Sequence, residues 1–297
     1  MAVTPPVILT IAGFDPSSGA GVTADIKTIA AHSCYGVACI TAMTVQSTAG
    51  VRKVEPSDPA FVLDTLEELA SDVDIAAVHI GMLGSDKVAK AVADFLGGPA
   101  SRTGKETRLP NIVLDPVLKS SSGADLLDSA GTRVLIERLI PLCAIVTPNI
   151  DEAAAITGIK VKNLGEMKAA ARKLHEMGAN AVVVTGGHLD KAMDLLSFTT
   201  KHGVEQEVFT AERQRSNSTH GTGCAFSTAM ACHLAFDREL AEATLLAKTY
   251  VTAAISEAHA LGRGTGPVNH FCRMNRQRRA ASSAGDRTSR PGRRTTS

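Results

Sequence analysis

The sequence predicts an α/β protein in which a mostly parallel sheet is covered by helices on both faces. Three observations lead there. Short continuous apolar runs rich in Val, Ile and Ala recur along the chain, as strands buried on both faces require. Stretches with helical spacing lie between them, so strand and helix alternate. The loops that carry Gly, Asp, Asn and Gln follow the strands, and in parallel sheets such loops gather at one edge, where ligands bind.

Val7–Ala12 (VILTIA) predicts a first buried strand closed by Gly13, followed by the turn-rich loop Gly13–Gly21 (GFDPSSGAG) and a helix over Val22–His32. Gly36–Val45 predicts a second strand. Ser57 is expected to cap a helix running to Ala70, with Asp58 and Pro59 in its first turn. A third strand covers Ile75–Ile80 and ends at Gly81; a helix follows over Asp86–Leu96. Gly97–Pro110 is polar and proline-bounded, hence an exposed connection. Ile112–Leu114 is a short strand ending at Asp115-Pro116. The second half repeats the alternation. Leu126–Leu139 is helical, and Ala144–Val146 is a strand ending at Thr147-Pro148-Asn149. Helices Ile150–Thr157 and Leu164–Met177 are each stopped by glycine. Ala181–Val184 is a strand leading to Thr185-Gly186-Gly187. Leu195–Thr199 and Glu205–Thr210 form a hairpin across Lys201–Gly203. An apolar helical run follows Cys224, and a last helix covers Arg238–Ala260 with the stripe Leu240, Ala243, Ala247, Val251 and Ala254.

The chain has 297 residues, of which 44% are hydrophobic and only 3% aromatic, so the core is aliphatic. No apolar run is long enough for a membrane span, and Met1–Pro6 does not open a signal peptide. The six cysteines are irregularly spaced and form no CxxC pair, which argues against zinc and for a reduced, cytoplasmic setting. The net charge of +1 hides an asymmetry: Arg273–Ser297 contains eight Arg and one Asp. That segment has almost no apolar content to bury, so residues 273–297 are expected to be a disordered basic tail and 1–272 the folded domain. Its charge could touch nucleic acid unspecifically, but no specific nucleic-acid partner is expected.

Thr219-His220-Gly221-Thr222-Gly223-Cys224 carries the strongest chemical signal. A glycine-rich turn that opens a helix can aim several N–H groups at one anion, aided by the helix dipole. A thiol at that place is expected to have a lowered pKa. Two other phosphate motifs are absent: Gly104-Lys105 is followed by Glu106, so there is no P-loop, and Gly13, Gly19 and Gly21 do not give GxGxxG. Asp25 lies in the first turns of a helix, where it either accepts from a substrate hydroxyl or simply favours the dipole. Gln46 presents a donor and an acceptor side by side, a match for an aminopyrimidine edge, or else it caps backbone. Met82 and Val117 either sandwich a flat ring or belong to the core. Asp115, Asn149 and Glu152 offer the hard oxygens that Mg²⁺ prefers. His220 and His270 are secondary candidates as bases.

In order, AGFDPSSGAG, ADIKT, TVQSTAG, HIGML, VLDPVL, TPNIDEA, TGGH, THGTGC and GRGTGPVNHF resemble the hydroxymethylpyrimidine/phosphomethylpyrimidine kinases of thiamine biosynthesis, within the ribokinase-like superfamily. The resemblance runs from Val7 to Phe271. It implies a three-layer α/β/α ribokinase-like fold with a mostly parallel central sheet, usually dimeric, and ATP with Mg²⁺. It implies a pyrimidine pocket at Gly13, Asp25, Gln46, Met82 and Val117, and metal contacts at Asp115 and Glu152. Nucleotide contacts fall on Asn149, Thr185, Gly187 and Thr219, and the catalytic anion hole on Gly221, Thr222 and Gly223. Cys224 stands where sugar kinases of the superfamily carry an aspartate base. Many relatives carry Lys where this chain has Thr185, and Leu118 replaces a frequent Met.

The implied activity is phosphorylation of 4-amino-5-hydroxymethyl-2-methylpyrimidine and then of its monophosphate. The alternatives are a pyridoxal/pyridoxine kinase of the same superfamily and a non-catalytic pyrimidine-binding protein, which Thr185 favours.

Overall fold

The computed structural model describes residues 4–98, 109–187, 192–212, 214 and 216–274. The expected tail, beyond Met274, lies outside the described residues, as does most of the Gly97–Pro110 connection. A nine-stranded sheet runs in the order β3-β2-β1-β4-β5-β6-β7-β8-β9. Its strands are β1 (Val7–Phe14), β2 (Tyr35–Ser47), β3 (Gly50–Pro56), β4 (Ile75–Ile80), β5 (Ile112–Leu114), β6 (Ile145–Val146), β7 (Ala181–Gly186), β8 (Ala192–Thr200) and β9 (Gly203–Ala211). β2, β1, β4, β5, β6 and β7 are parallel. β3 is antiparallel at one edge and the hairpin β8–β9 at the other.

The helices are α1 (Gly21–Ala31), α2 (Pro59–Asp72), α3 (Asp86–Gly97), α4 (Ser129–Val134), α5 (Ile150–Thr157), α6 (Leu164–Glu176), α7 (Thr222–Leu234) and α8 (Leu240–Ser256). Strand residues alternate between two cores because successive side chains point to opposite faces. Leu9, Ile11, Val182 and Val184 pack with α2, α3, α5 and α6, whereas Ile8, Ala181 and Val183 pack with α1, α7 and α8. The result is the expected three-layer α/β/α arrangement.

Several boundaries differ from the sequence expectation for local reasons. Asp58, not Ser57, caps α2, accepting from the N–H groups of Ala60 and Phe61 at 2.9 and 3.1 Å. The Ser57 hydroxyl donates to the Ile40 carbonyl instead. α4 starts only at Ser129, capped by Asp128, because the Leu126 N–H is committed to Leu118 O. It continues through a wide turn at Leu135–Leu139 and a tight one at Ile140–Leu142. α8 ends at Ser256, short of Ala260. β3 was not expected at all: only Val51 and Val54 turn inward, while Arg52, Lys53 and Glu55 are exposed, the charged dress of an edge strand.

β1 is flanked by β2 on one side and β4 on the other, so the chain reverses its direction of growth there. Ligands bind beyond the strand ends at such a switch point. The loops that follow β1, β4 and β5 carry Asp15, Met82 and Asp115. On the far side, Lys248 of α8 and Asp194 of β8 form an enclosed ion pair at 2.7 Å, and Asp194 also accepts from the Gly186 N–H at 3.1 Å. This fixes the end of β7 from behind.

Lys248→Met would leave Asp194 charged and unpaired. The expected loss is about 3–5 kcal/mol of unfolding free energy, read as a lowered urea midpoint, with partial recovery in the double variant Lys248→Met/Asp194→Asn.

Candidate active site

The first loop is organised by one carboxylate. Asp15 Oδ1 accepts from the Ser17 N–H (2.8 Å) and hydroxyl (2.7 Å); Oδ2 accepts from the N–H groups of Gly19 (3.2 Å) and Ala20 (3.0 Å). His220 Nε2 lies 2.9 Å from the same Oδ2. Burial opposes the charge of Asp15, but the bonds from His220 and Ser17 outweigh it and hold its pKa below the usual range.

The glycine turn lies directly on that loop. Gly221 has φ +79° and caps α7, and a Cβ there would collide with the Gly19 carbonyl. The N–H of Thr222 is turned to Thr219 O, and intrahelical bonding starts with Ala225 N–H donating to Gly221 O. The N–H groups of Gly223 and Cys224 therefore have no partner within the helix and are left to face an anion. A Cβ on Gly223 would stand 3.6 Å from Asp115 Oδ2, so cradle and carboxylate face one another.

The pyrimidine candidates fall at this edge. Gln46 lies on β2, not after it, with Nε2 3.2 Å from His220 Nε2 and Oε1 3.2 Å from the Thr44 hydroxyl. Met82 follows β4; its carbonyl accepts from the Thr41 hydroxyl at 2.5 Å, and a Cβ on Gly13 would stand 2.9 Å from its sulfur. Val117 is half-buried just past Asp115, whose carbonyl accepts its N–H. Asp25 has no exposed surface. Its oxygens accept from Thr10 (2.7 Å) and Thr228 (2.9 Å), and His79 Nδ1 lies 3.3 Å away. Burial alone would discharge His79, but the carboxylates of Asp25 and Asp115 outweigh it and raise its pKa. Asp25 thus reaches the cleft through its charge.

The nucleotide candidates form a second group. Asn149 and Glu152 make a capping box on α5: Asn149 Oδ1 accepts from the N–H groups of Asp151 and Glu152, and Glu152 Oε2 accepts from the Asn149 N–H. Thr185 bridges to Asn149, and its N–H donates to Pro148 O. Gly187 opens beyond the end of β7. Thr219 is exposed, its carbonyl accepting from the Thr222 hydroxyl.

The electrostatics overturn one expectation. The Cys224 thiol is pushed well above the ordinary thiol range, first by burial and then by the charges of Asp115, Asp25 and Glu152. A helix end carries about half an elementary charge, less than one ionised carboxylate, so the cradle does not generate a thiolate. Asp115 is raised to about 6, chiefly by burial, with His79 pulling it down and Asp25 pushing it up. Glu152 is raised as well, by burial and then by Asp115. These two carboxylates hold negative charge that the protein does not fully balance, a donor set that suits Mg²⁺ carrying its own waters. Among the described residues no group of three or more His, Cys, Asp or Glu encloses a metal. His270 is buried and its pKa is lowered to about 4, mainly by burial. Its carbonyl accepts from Tyr250, so it belongs to the core behind α8.

Residues 15–269 match the family described as phosphomethylpyrimidine kinase. The chain belongs to the phosphomethylpyrimidine kinase family. The hydroxymethylpyrimidine/phosphomethylpyrimidine kinase of Haemophilus influenzae is 38% identical over 89% of this chain and 96% of its own; that of Rhizobium meliloti is 41% identical over 90% and 97%. The chain spans about half (52%) of the Geobacter sulfurreducens thiamine biosynthesis bifunctional protein ThiED, at 43% identity. Among solved structures, a phosphomethylpyrimidine kinase from Clostridium difficile superposes with TM-score 0.72 at 37% identity, covering 84% of this chain and 99% of that one. An ADP complex of Bacillus subtilis pyridoxal kinase gives 0.79 at 33%, covering 92% and 100%. These kinases share the ribokinase-like fold expected from the sequence, and this chain is a phosphotransferase of that family.

Three residues that shape the site, Asp15, His79 and Thr228, were not singled out in the sequence. Asp15 was detectable, because an Asp followed by Pro-Ser-Ser marks an Asx-type turn.

A carboxylate with a raised pKa destabilises the fold once it ionises. The penalty is absent below about pH 4 and complete above about pH 6. Asp115→Asn should therefore stabilise the protein at pH 7.5 by about 2–3 kcal/mol while turnover collapses. Equal stability of the two proteins in urea melts at pH 7.5 would contradict it.

Proposed function

We propose that this kinase transfers the γ-phosphoryl group of ATP to the hydroxymethyl oxygen of 4-amino-5-hydroxymethyl-2-methylpyrimidine and then phosphorylates the monophosphate to the diphosphate, in thiamine biosynthesis. The observation that carries this is the meeting of Gln46 with the glycine turn: its amide lies 3.2 Å from His220, the residue before Gly221. A ring held at Gln46 with Gly13, Met82 and Val117 thereby has its substituent beside an anion cradle. Family membership and an ADP-complexed structural neighbour support the nucleotide.

Attack in line on phosphorus asks the protein mainly for position and charge stabilisation. The N–H groups of Gly223 and Cys224 would receive the oxygens of the moving phosphoryl group; one such donor is typically worth a hundredfold or more in rate. The Cys224 thiol, whose electrostatics are tied to Asp115, would take the hydroxyl proton only while passing its own to that carboxylate. Asp115 and Glu152 would hold Mg²⁺ through water, and the ion when bound would neutralise phosphate charge. Asn149, Thr185, Gly187 and Thr219 would border the nucleotide, with Gly186 braced by Asp194.

A homodimer is supported by exposed Met43 and Val45 on β2 and Phe61 on α2, and a cytoplasmic setting by six free cysteines. Among the described residues no helix is long and apolar enough to cross a membrane. Residues 1–272 would form the kinase domain and the basic segment 273–297 would take no part in phosphate transfer, although Arg273 itself lies over the Tyr250 ring at 5.5 Å.

Pyridoxal is the second reading, favoured by the pyridoxal kinase neighbours. ATP consumption with the pyrimidine alcohol, its monophosphate and pyridoxal, side by side, separates the two: preference for pyridoxal would overturn the first. Gln46→Ala should raise the pyrimidine KM about tenfold or more, with basal ATP hydrolysis little changed; an unaltered KM removes Gln46 from the ring pocket. Cys224→Ser should keep the fold and lose most turnover, and full activity would take the thiol out of the proton path.

A further inference from the structure

His220 meets three groups through the cleft loops. Its Nε2 is 2.9 Å from Asp15 Oδ2 and 3.2 Å from the Gln46 amide, while its ring packs on Gly19, where a Cβ would collide with it. The ring is nearly enclosed, its side chain 12% exposed, and Asp15 is 4% exposed. Asp15 is ionised at neutral pH and can only accept, so the Nε2 proton of His220 points to it.

That proton decides the Gln46 amide. A second N–H donor cannot bond to a histidine nitrogen whose hydrogen is already committed. On the other side, the Thr44 hydroxyl lies 3.0 Å from Phe14 O and 3.2 Å from Gln46 Oε1, and one hydroxyl hydrogen cannot serve both. Exchanging the two ends of the amide, which have the same shape, removes both conflicts. Oε1 then shares the His220 proton, Nε2 donates to Thr44, and Thr44 donates to Phe14.

We propose that His220, held by Asp15, is a specificity-determining positioning residue that locks the Gln46 amide with its oxygen toward the glycine turn and its nitrogen toward Thr44. The inference rests on the assignment of Gln46 to the ring edge. With the amide locked, the remaining lone pair and hydrogen of Gln46 face the ring in a fixed order. An aminopyrimidine must set its amino group on the His220 side and its ring nitrogen on the Thr44 side. The hydroxymethyl carbon neighbours the amino-bearing carbon, on the side away from that ring nitrogen. The lock therefore turns the alcohol toward Gly223 and Cys224; a reversed amide would turn it away.

The test is a double-mutant cycle on kcat/KM for the pyrimidine alcohol at saturating ATP, with Gln46→Ala and His220→Leu singly and together. Residues that act as a unit are not additive, so the Gln46→Ala penalty is expected to shrink by about tenfold in the His220→Leu background. His220→Gln, which keeps an N–H donor near the Nε2 position, should restore that penalty to within about threefold of the parent value. A merely structural histidine gives penalties that multiply, and that result overturns the inference while leaving Gln46 in the pocket. No effect of Gln46→Ala in the parent overturns the ring assignment and the lock together. If His220→Leu does not fold, His220→Asn, too short to reach Gln46, enters the same cycle with the same two outcomes.

Discussion

The cleft depends on a backbone contact: the Gly221 backbone resting on the Gly19 carbonyl. Two loops far apart in sequence approach there more closely than any side chain would allow. Gly221 also needs its positive φ to start α7. Sterics and chain direction thus demand the same residue at one point. Asp15 secures the contact by gathering N–H groups from its own loop and the His220 ring from the other. Glycine provides the closeness and the carboxylate fixes the register.

Around that contact the charges are arranged in opposition. N–H groups at the start of α7 favour an anion, yet Asp115, Glu152 and Asp25 gather beside and beneath them. His79 offsets Asp25 but leaves Asp115 raised to about 6 and Glu152 raised as well. Buried carboxylates with raised pKa values gathered beside unpaired N–H groups are unfavourable on their own, a pattern that belongs to functional sites more than to faulty packing. The same charges explain a neutral Cys224. Phosphoryl transfer through a loose transition state asks little of a base, so a neutral thiol at Cys224 is compatible with the proposed chemistry.

The sequence was legible where periodicity and turn chemistry coincide. Buried strands such as β1 and β4 read directly from their apolar runs, and the glycine turn before α7 declared a cradle. β3 was illegible because an edge strand half-dressed in charge has neither a continuous apolar run nor strict alternation. The boundary of α4 was lost to a bond from Leu126 to Leu118 that no local pattern encodes. The Cys224 pKa runs against the helix rule because that rule acts within one turn, whereas Asp25, Asp115 and Glu152 arrive from other elements. Asn149 and Glu152 illustrate the reverse case. N-x-x-E before an apolar run spells a capping box, and the structure shows both side chains in that role, with the charge of Asp115 also raising the pKa of Glu152.

Fold alone does not choose the substrate. A pyridoxal kinase and a phosphomethylpyrimidine kinase superpose on this chain with TM-scores of 0.79 and 0.72, so the same scaffold serves rings of different chemistry. Sheet and helices are the same for both kinds of kinase and are indifferent to which heterocycle brings the alcohol. Discrimination has to come from groups that read the ring edge. Gln46 presents a donor and an acceptor whose order matters, and its neighbours Thr44 and His220 already have their protons assigned by Phe14 and Asp15. Missing a hydrogen bond at a buried polar edge costs far more than a poor apolar fit. If Gln46 reads the ring edge as proposed, selectivity would lie in the proton-ordered chain of Thr44, Gln46 and His220 at the sheet edge, while Met82 and Val117 would add contact area that any flat ring finds acceptable.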